Sequence, residues 1–555
     1  MKLNGSQIIV ECLVEQGVDT IFGYPGGAVL NIYDELYKNS DRIRHILTSH
    51  EQGASHAADG YARSTGKVGV VLATSGPGAT NLVTGIATAY MDSVPIVAIT
   101  GNVTNPLLGR DSFQEVDIAG ITMPITKHNY IVKDVTKLAD TIREAFQIAR
   151  SGRPGPVLID IPKDVTAAKC EYEKKEIYIG EQIKQLPIIF DYQLEEIANL
   201  IMNAKKPFIY AGGGIIKADA SSDLNEFATM LDIPTSTSLM GIGAVDQTNP
   251  LSTGLIGMHG TVASNKCVVE CDLLLALGVR FSDRVLSNHK HFAEKAKIVH
   301  VDIDLAEINK NITADYSLVM NLKEFFTRIK KYLGRKQHPE WTAEVSSWKQ
   351  VFQDNQVSES LKPRYFMEAI YEATQGDCYI ATEVGQHQMW AAQYFTYTKP
   401  RRLITSGGLG TMGFGLGAAI GTQIAHPESY VFNIAGDGSF RMNFNELLTA
   451  SKYNIPVCVV IANNGVLGMV RQWQTAFYSK RYSQTILDKE LDYAYLAKAC
   501  HVDYYYAATK EEYKRAIEEV VKKHRPCIIN AMVEIDEKVL PMVAPGKPID
   551  DIMLK

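Results

Sequence analysis

The sequence contains no apolar run long enough to cross a bilayer. A membrane-spanning helix needs about 20 consecutive apolar residues, and no stretch of the 555-residue chain approaches that length. The N-terminal run MKLNGSQIIVECLVEQGV also lacks the basic segment and the small-residue cleavage site of a signal peptide. We therefore expect a cytoplasmic protein whose folded part starts near Met1.

The sequence also lacks a large excess of charge of one sign, and it lacks a cluster of cysteines. The formal net charge is −6 and the basic residues are spread along the chain, so neither a nucleic acid nor a membrane is an expected partner. The eight cysteines are scattered, and only Cys267 and Cys271 are close in sequence. Since no second Cys or His pair follows them at metal spacing, we expect reduced structural cysteines.

The chain is too long for a single hydrophobic core, and its pattern indicates several α/β domains. Short β-branched runs alternate with helical stretches, which is typical of parallel sheets covered by helices. Two more polar stretches, 166–190 and 331–360, are predicted linkers between three domains. The predicted strands cover residues 68–74, 96–100, 157–161, 207–212, 273–278, 298–303, 430–436 and 457–463.

The first and third predicted domains repeat the same order of motifs. Gly53 leads through a helical run and a strand to Gly76 in a glycine-rich turn, and Gly413 leads in the same way to Gly436. Both intervals are 23 residues. Repetition on this scale predicts two similar sheet domains that could pair face to face.

The run GDGSF at 436–440, followed by Asn463 and Asn464, predicts a phosphate and metal site. Asp437 comes at the carboxyl end of a buried strand, where open α/β sheets bind ligands. The glycines let the backbone approach a phosphate, and Ser439 begins a helix whose N-terminus favours anions. Asn464 ends the next strand, and one carboxylate with neutral oxygens and phosphate suits Mg²⁺. GDG alone is more often a tight turn, but the placed strands, the Asn-Asn pair at this spacing and the repeat favour the site.

This combination of GDG and NN is the diphosphate-binding signature of thiamine-diphosphate enzymes. From about residue 4 to 548 the chain resembles the catalytic large subunits of acetohydroxyacid synthases, also called acetolactate synthases. The resemblance implies a pyrimidine-binding domain at 1–168, a central FAD-binding-like domain at 190–332 and a diphosphate-binding domain at 358–555. The clearest matching segments are FGYPGGAVLNIYD, HEQGASHAADGYAR, TSGPGATNLVTGIA, SGRPGPVLIDIPKDV, RFSDRV, VGQHQMWAAQ, SGGLGTMGFG and GMVRQWQ.

The resemblance also assigns residues to the cofactor. The Gly410 carbonyl would meet the 4′-amino group of thiamine diphosphate, and Met412 would prop the bent cofactor. Asp437, Asn464 and the backbone of Val466 would hold Mg²⁺. The full set implied for thiamine diphosphate is Glu51, Val384, Gly385, Gln386, His387, Gly410, Met412, Gly436, Asp437, Gly438, Ser439, Asn464, Gly468 and Met469.

Glu51 matches the glutamate of this family that exchanges a proton with N1′ of the pyrimidine. A carboxyl group removed from water has a raised pKa and can serve as that donor. In isolation Glu51 would more simply be a glutamate at a helix start. Because Glu51 is in the first domain and Asp437 is in the third, the resemblance implies a site shared by two subunits of a homodimer, commonly assembled as a tetramer.

The central domain carries glycine-rich turns that can receive a dinucleotide. By resemblance this is FAD, which the redox-neutral reaction would not use as an electron carrier. Ser282 and Asn321 depart from the family pattern, in which Asp and a Gly-Asp pair are usual. The implied FAD residues are Arg153, Gly213, Gly214, Ser238, Leu239, Gly257, Met258, His259, Gly278, Val279, Arg280, Arg284, Asp302, Ile303 and Asn321.

Met469 and Trp473 are four residues apart and therefore lie on one helical face. Such a stripe is usually core, but the resemblance places Trp473 in the acceptor pocket, where it favours 2-ketobutyrate, and Arg284 on the acceptor carboxylate. Gly27 matches a backbone position near the reacting carbon. Phe113, Gln114 and Lys163 match residues along the approach to the site, contributed across the dimer interface, and Thr104 replaces a proline at the channel mouth.

The resemblance thus implies decarboxylation of pyruvate and transfer of the two-carbon remainder to pyruvate or 2-ketobutyrate, in branched-chain amino-acid biosynthesis. The products would be 2-acetolactate and 2-aceto-2-hydroxybutyrate. Alternatives are a flavin-using relative such as pyruvate oxidase, an FAD-free catabolic acetolactate synthase, and a cofactor-binding protein without turnover. A small regulatory subunit is a possible further partner.

Overall fold

A computed structural model describes residues 1–175, 186–351, 361–487 and 491–555. Three parallel sheets of six strands, each flanked by helices, succeed one another along the chain. The α/β prediction is therefore confirmed, and each of the eight predicted strands is present. Within the described ranges, no helix has the length and apolar character required to span a membrane.

The first sheet has the strand order β3-β2-β4-β5-β7-β6. Its central strands are buried on both faces, which is why they read as continuous apolar runs. The strands of this domain are β1 (Lys2–Asn4), β2 (Thr20–Tyr24), β3 (Arg44–Leu47), β4 (Gly69–Ala73), β5 (Ile96–Asn102), β6 (His128–Ile131), β7 (Val157–Pro162) and β8 (Lys169–Glu171). The helices are α1 (Gly5–Glu15), α2 (Leu30–Lys38), α3 (Glu51–Thr65), α4 (Pro77–Thr80), α5 (Val83–Met91), α6 (Ile118–Thr122), α7 (Val135–Arg150) and α8 (Lys163–Ala167).

The central sheet has the order β11-β10-β9-β12-β13-β14. Its strands are β9 (Pro207–Ala211), β10 (Thr235–Thr237), β11 (Ser252–Leu255), β12 (Leu273–Leu277), β13 (Lys297–Asp302) and β14 (Tyr316–Val319). Its helices are α9 (Asp191–Asn203), α10 (Gly213–Lys217), α11 (Ser221–Leu231), α12 (Val262–Glu270), α13 (Asp283–Leu286), α14 (Leu322–Ile329) and α15 (Pro339–Lys349).

Helix α15 lies in a stretch predicted to be a linker, yet it belongs to the central domain. Its Trp341 is buried and donates a hydrogen bond from Nε1 to the carbonyl of Pro207 (2.9 Å). Cys267 and Cys271 are buried in the same apolar cluster. In the described residues no three His, Cys, Asp or Glu side chains gather as a metal site.

The third sheet repeats the first, with the order β16-β15-β17-β18-β20-β19. Each strand occupies the place of its counterpart in the first sheet, which confirms the predicted repeat. Its strands are β15 (Cys378–Thr382), β16 (Leu403–Ile404), β17 (Tyr430–Gly436), β18 (Val457–Asn463), β19 (Asp503–Ala507) and β20 (Cys527–Met532), followed by β21 (Met542–Val543) and β22 (Ile552–Met553). Its helices are α16 (Pro363–Thr374), α17 (Gln386–Tyr394), α18 (Gly415–Ala425), α19 (Asp437–Phe440), α20 (Leu447–Lys452), α21 (Gly468–Phe477), α22 (Tyr493–Ala499) and α23 (Lys510–Lys523).

The first and third domains of the chain pair through helices α3 and α18. These helices approach so closely that a Cβ atom on Gly421 would lie 1.8 Å from the carbonyl oxygen of Ala57, and one on Gly60 would lie 2.0 Å from that of Ala418. Only glycine permits this backbone contact. The C-terminal segment leaves the third domain again, since Val543 donates to the carbonyl of Met258 (2.8 Å) and Ile549 is buried in the central domain.

Candidate active site

The predicted metal residues meet at the carboxyl ends of β17 and β18. The two strands pair in parallel with Gly436 opposite Ala462, so Asp437 lies beside the Asn463-Asn464 pair. Burial raises the pKa of the Asp437 carboxyl to about 6, and its Oδ2 has no hydrogen-bond partner. Since a buried carboxylate oxygen without a partner is costly, it fits a cation ligand.

Asn463 and Asn464 have different surroundings. Asn463 is buried, donating from Nδ2 to Asn530 (3.0 Å) and accepting from the amide of Gly465 (3.2 Å). Asn464 is half-buried, and its Oδ1 accepts from the amide of Val466 (3.2 Å). Asp437, Asn463, Asn464 and Gly465 line a cavity of about 620 Å³. The exposed Glu534, which follows β20, also lines this cavity. At the ends of β17 and β18 the Asp437 carboxylate lies beside neutral amide oxygens, which suits Mg²⁺ shared with phosphate oxygens.

The start of α17 packs against this site. The His387 ring touches Gly436, where a Cβ atom would lie 2.8 Å from Nδ1. Gln386 lies against Gly468 in the same way. Burial lowers the pKa of His387 to about 3, and its Nε2 has no partner. The neutral imidazole is therefore available to a ligand at the start of α19, where Gly438 and Ser439 lie.

The first-domain residues of the predicted site gather at the carboxyl edge of their own sheet. Glu51 follows β3, Gly27 follows β2 and Lys163 follows β7. The turn after β4 touches several of them: a Cβ atom on Gly78 would lie 3.1 Å from Glu51 Oε1, and one on Gly76 would lie 2.9 Å from the Cα of Gln114.

Glu51 is half-buried, and its Oε2 accepts a hydrogen bond from Asn81 Nδ2 (2.9 Å). Glu446 of the third domain was not predicted, yet it fixes the backbone before Glu51. Its carboxylate is buried and accepts from the amides of Ser49 (3.1 Å) and His50 (3.0 Å). This contact could not be predicted from the sequence, because it depends on the pairing of the first and third domains through α3 and α18.

Neither of the two cavities described for residues 1–175, 186–351, 361–487 and 491–555 joins these half-sites. Glu51, Gly27, Gln114 and Lys163 line neither the cavity at Asp437 nor the larger cavity described below. Phe113, next to Gln114, is 88% exposed, so the first-domain half-site faces solvent in the single chain.

The second cavity is a cleft of about 2860 Å³ lined by all three domains. It brings together Val384, Gly385, Gly410 and Met469 from the predicted thiamine-diphosphate set. Every residue predicted for FAD lines it except Gly257, whose neighbours Ile256 and Met258 do. Met412 does not line the cleft. It is half-buried and lies two residues after Gly410, which does line it.

Two of the predicted FAD residues are engaged in protein contacts. Arg153 pairs with Glu307 (2.6 Å) and Asp304 (3.2 Å) and donates to Ser93 Oγ (2.7 Å), so its guanidinium joins the first and central domains. Gly214 packs backbone to backbone on Gly278, where a Cβ atom would lie 2.7 Å from the Gly278 Cα. Part of the glycine-rich pattern is therefore explained by the packing of α10 on the turn after β12.

The remaining charged groups of the cleft fit a dinucleotide. Arg280 and Arg284 both line the cleft. Arg284 is exposed, whereas Arg280 is half-buried and donates to the carbonyl of Met91 (2.7 Å). Burial raises the pKa of Asp302 to about 6. Asn321, which departs from the family pattern, caps α14 by accepting from the amide of Lys323 (2.8 Å).

The Met469 and Trp473 stripe on α21 faces this cleft and is not core. Both residues line the cavity with Arg284, and no residue of α21 is fully buried. The Trp473 ring contacts Phe477 edge to face with centroids 5.4 Å apart. The stripe therefore has the open position that an acceptor pocket needs.

Comparisons with known proteins agree with this arrangement. Residues 3–121 match the N-terminal TPP-binding domain of thiamine pyrophosphate enzymes, 194–329 match the central domain and 383–531 match the C-terminal TPP-binding domain. The chain is 43% identical to the acetolactate synthase large subunit of Haemophilus influenzae, over 100% of this chain and 98% of that protein.

Two further relatives also match over nearly the whole chain. Identity is 45% to the acetolactate synthase of Arthrospira platensis, over 100% of this chain and 98% of the relative, and 45% to the acetolactate synthase large subunit of Mycobacterium tuberculosis, over 99% and 91%. The chain therefore belongs to the thiamine pyrophosphate enzyme family, within its group of acetolactate synthase large subunits.

Proposed function

We propose that this enzyme decarboxylates pyruvate and joins the two-carbon remainder to a second 2-keto acid. With pyruvate as acceptor the product is 2-acetolactate, and with 2-ketobutyrate it is 2-aceto-2-hydroxybutyrate. The observation that carries the proposal is the buried, unpartnered carboxylate oxygen of Asp437 beside Asn464, in a chain related over its whole length to acetolactate synthases.

Thiamine diphosphate, when bound, supplies the electron sink that decarboxylation of a 2-keto acid requires. Asp437 Oδ2, Asn464 Oδ1 and the Val466 carbonyl would hold Mg²⁺, and His387 Nε2 with the start of α19 would receive the diphosphate. The pyrimidine would lie against Gly410 and Met412. Glu51 would exchange a proton with its ring nitrogen N1′.

We infer that the Glu51 serving each cofactor comes from a second copy of the chain. The exposed edge carrying Gly27, Phe113, Gln114 and Lys163 would then cover the third-domain site of a partner. Two such sites would form in a homodimer with two-fold symmetry. The proposal also includes the assembly of two dimers into a tetramer. It further includes a small regulatory subunit, since the relatives are named large subunits.

FAD is the proposed occupant of the large cleft, held near Gly213, Gly278, Arg280 and Asp302. The overall reaction is redox-neutral, so the flavin would act by shaping the cleft. Trp473 would narrow the acceptor pocket, and Arg284 would receive the carboxylate of the second keto acid.

The test is to incubate the purified protein with pyruvate, thiamine diphosphate and Mg²⁺ and to measure acetolactate. We expect turnover in the wild type and a loss of about 10²-fold or more in Glu51→Gln, with the cofactor still bound as measured by calorimetry. Lys133→Gln is the matched control for general damage at the same edge of the sheet, because this exposed lysine follows β6 and has no assigned role in the site. Its activity should stay within about twofold of the wild type. Phosphate-dependent consumption of O₂ in place of acetolactate would instead identify a pyruvate oxidase.

A further inference from the structure

A glycine-rich loop of the third domain, residues 406–411, is held by the first domain of the same chain. The loop contains Gly407, Gly408 and Gly410, and its Gly410 lines the large cleft. Glycines have wide conformational freedom, so such a loop is not fixed by its own sequence. Its position must come from contacts outside it.

Asp92 supplies one of these contacts. It follows directly after α5 and is buried, with 3% exposure. Its Oδ2 accepts from the amide of Gly407 (3.0 Å) and its Oδ1 accepts from the amide of Gly408 (2.7 Å). Two adjacent amides on one carboxylate fix both the position and the rotation of the loop.

Arg63 neutralises the buried charge of Asp92. Its Nη2 donates to Asp92 Oδ2 (3.0 Å), its Nη1 donates to the carbonyl of Thr405 (2.9 Å), and it also pairs with the buried Asp59. Thr405 immediately precedes the loop. The Arg63 guanidinium therefore compensates the buried Asp92 carboxylate and also holds the residue before the loop.

Thr88 supplies the second contact, one helical turn before Asp92 and on the same face of α5. Its Oγ1 lies 2.7 Å from Thr411 Oγ1, and both side chains are buried. The amide of Thr411 donates to Ser406 Oγ (3.1 Å), which closes the loop on itself. Thr411 lies between Gly410 and Met412, so this contact fixes the backbone that presents both.

We propose that Thr88 and Asp92 are positioning residues that hold loop 406–411 in the form required by the cofactor. The role of Gly410 and Met412 rests on the proposed function, but the anchoring of the loop does not. Each first domain would then have two tasks: to anchor the loop of its own chain through α5, and to present Glu51 to the site of its partner. Fixed loop geometry matters because misplacement of reacting groups by about 1 Å can cost on the order of 100-fold in rate.

Hydrogen exchange of the cofactor-free protein tests the anchoring directly. We expect the amides of Gly407 and Gly408 to exchange at least about tenfold faster in Asp92→Asn than in the wild type, because each loses a charged acceptor. Asp59→Asn is the matched control: it removes an equally buried carboxylate from Arg63 but no acceptor from the loop. Its loop amides should exchange within about twofold of the wild-type rate. Equal rates in Asp92→Asn and Asp59→Asn overturn the proposal.

A milder pair of variants covers the case in which Asp92→Asn does not fold. Thr88→Val removes the hydroxyl at nearly constant volume, and Thr88→Ser retains it. We expect Thr88→Val to lower kcat and the affinity for thiamine diphosphate, each by about tenfold, with little change in KM for pyruvate, and Thr88→Ser to restore both. Wild-type values in Thr88→Val refute the positioning role. Absence of acetolactate from the wild type would refute the proposed function while leaving the exchange result intact.

Discussion

Complementation between two inactive variants tests whether the site is built from two chains. Glu51→Gln damages the first-domain half-site, and Asp437→Asn damages the metal site of the third domain. Because these side chains lie in different half-sites that share no described cavity within one chain, each variant leaves the other half intact. Each homodimer would contain two defective sites.

A mixed dimer would behave differently. One of its sites would combine both damaged halves, and the other would combine the intact Glu51 of one chain with the intact Asp437 of the other. If two chains associate at random in a two-fold symmetric dimer, about half of the dimers are mixed, so about one quarter of the wild-type sites are restored. Each variant alone should retain on the order of 1% or less.

The assay is acetolactate formation by the two variants co-expressed with different affinity tags and purified through both. The purified mixed dimer should have about half of the wild-type activity per dimer, and the controls are each variant co-expressed with itself. A chain carrying both substitutions, co-expressed with the wild type and purified in the same way, should give mixed dimers with on the order of 1% of the wild-type activity, because each of their two sites then contains one damaged half. Half of the wild-type activity in these dimers would instead indicate a site built within one chain. Activity no higher than that of the separate variants would refute the two-chain site.

Three further changes follow from particular contacts. Gly421→Ala places a Cβ atom against the carbonyl of Ala57, so we expect a loss of about 1–3 kcal/mol in the free energy of unfolding; a loss under about 0.5 kcal/mol would contradict close packing of α3 on α18. Burial raises the pKa of Glu383 from 4.5 to about 7, so between these values the folded state holds the extra proton and stability falls as pH rises. The slope is at most about 1.4 kcal/mol per pH unit, and denaturant unfolding should show it in the wild type and not in Glu383→Gln. Trp473→Leu should lower the preference for 2-ketobutyrate over pyruvate by about tenfold in a competition assay, whereas Phe477→Leu, one turn further and outside the cleft, should leave that preference unchanged.

The juxtaposition of Asp437 with Asn464 could be predicted because the geometry at the ends of neighbouring strands is local. Two buried strands followed by polar residues place Asp437 and Asn464 side by side once the strands are adjacent and parallel. The repeat supported the prediction that these two strands are neighbours, and β17 and β18 are adjacent in the third sheet, as β4 and β5 are in the first. The Met469 and Trp473 spacing likewise fixed one helical face, although spacing could not show whether that face was core or cleft. The orientation of α21 decided this.

Other residues depended on contacts between distant segments. Arg153 was predicted to bind a flavin, but its guanidinium is held by Glu307 and Asp304, which are about 150 residues away in sequence. Glu383 was not predicted, although it adjoins Val384. Its carboxylate accepts from the amides of Gly413 (2.6 Å) and Leu416 (3.2 Å) and so fixes the start of α18.

The sequence by itself determined the α/β class, the repeat and the chemistry at the strand ends, because periodicity and glycine turns act over a few residues. Only the tertiary structure decided that the two half-sites of one chain line no common described cavity, that α3 pairs with α18, and that Asp92 binds the amides of loop 406–411. These depend on the packing of whole domains, where a side chain meets partners 300 or more residues away. No local pattern encodes such a meeting.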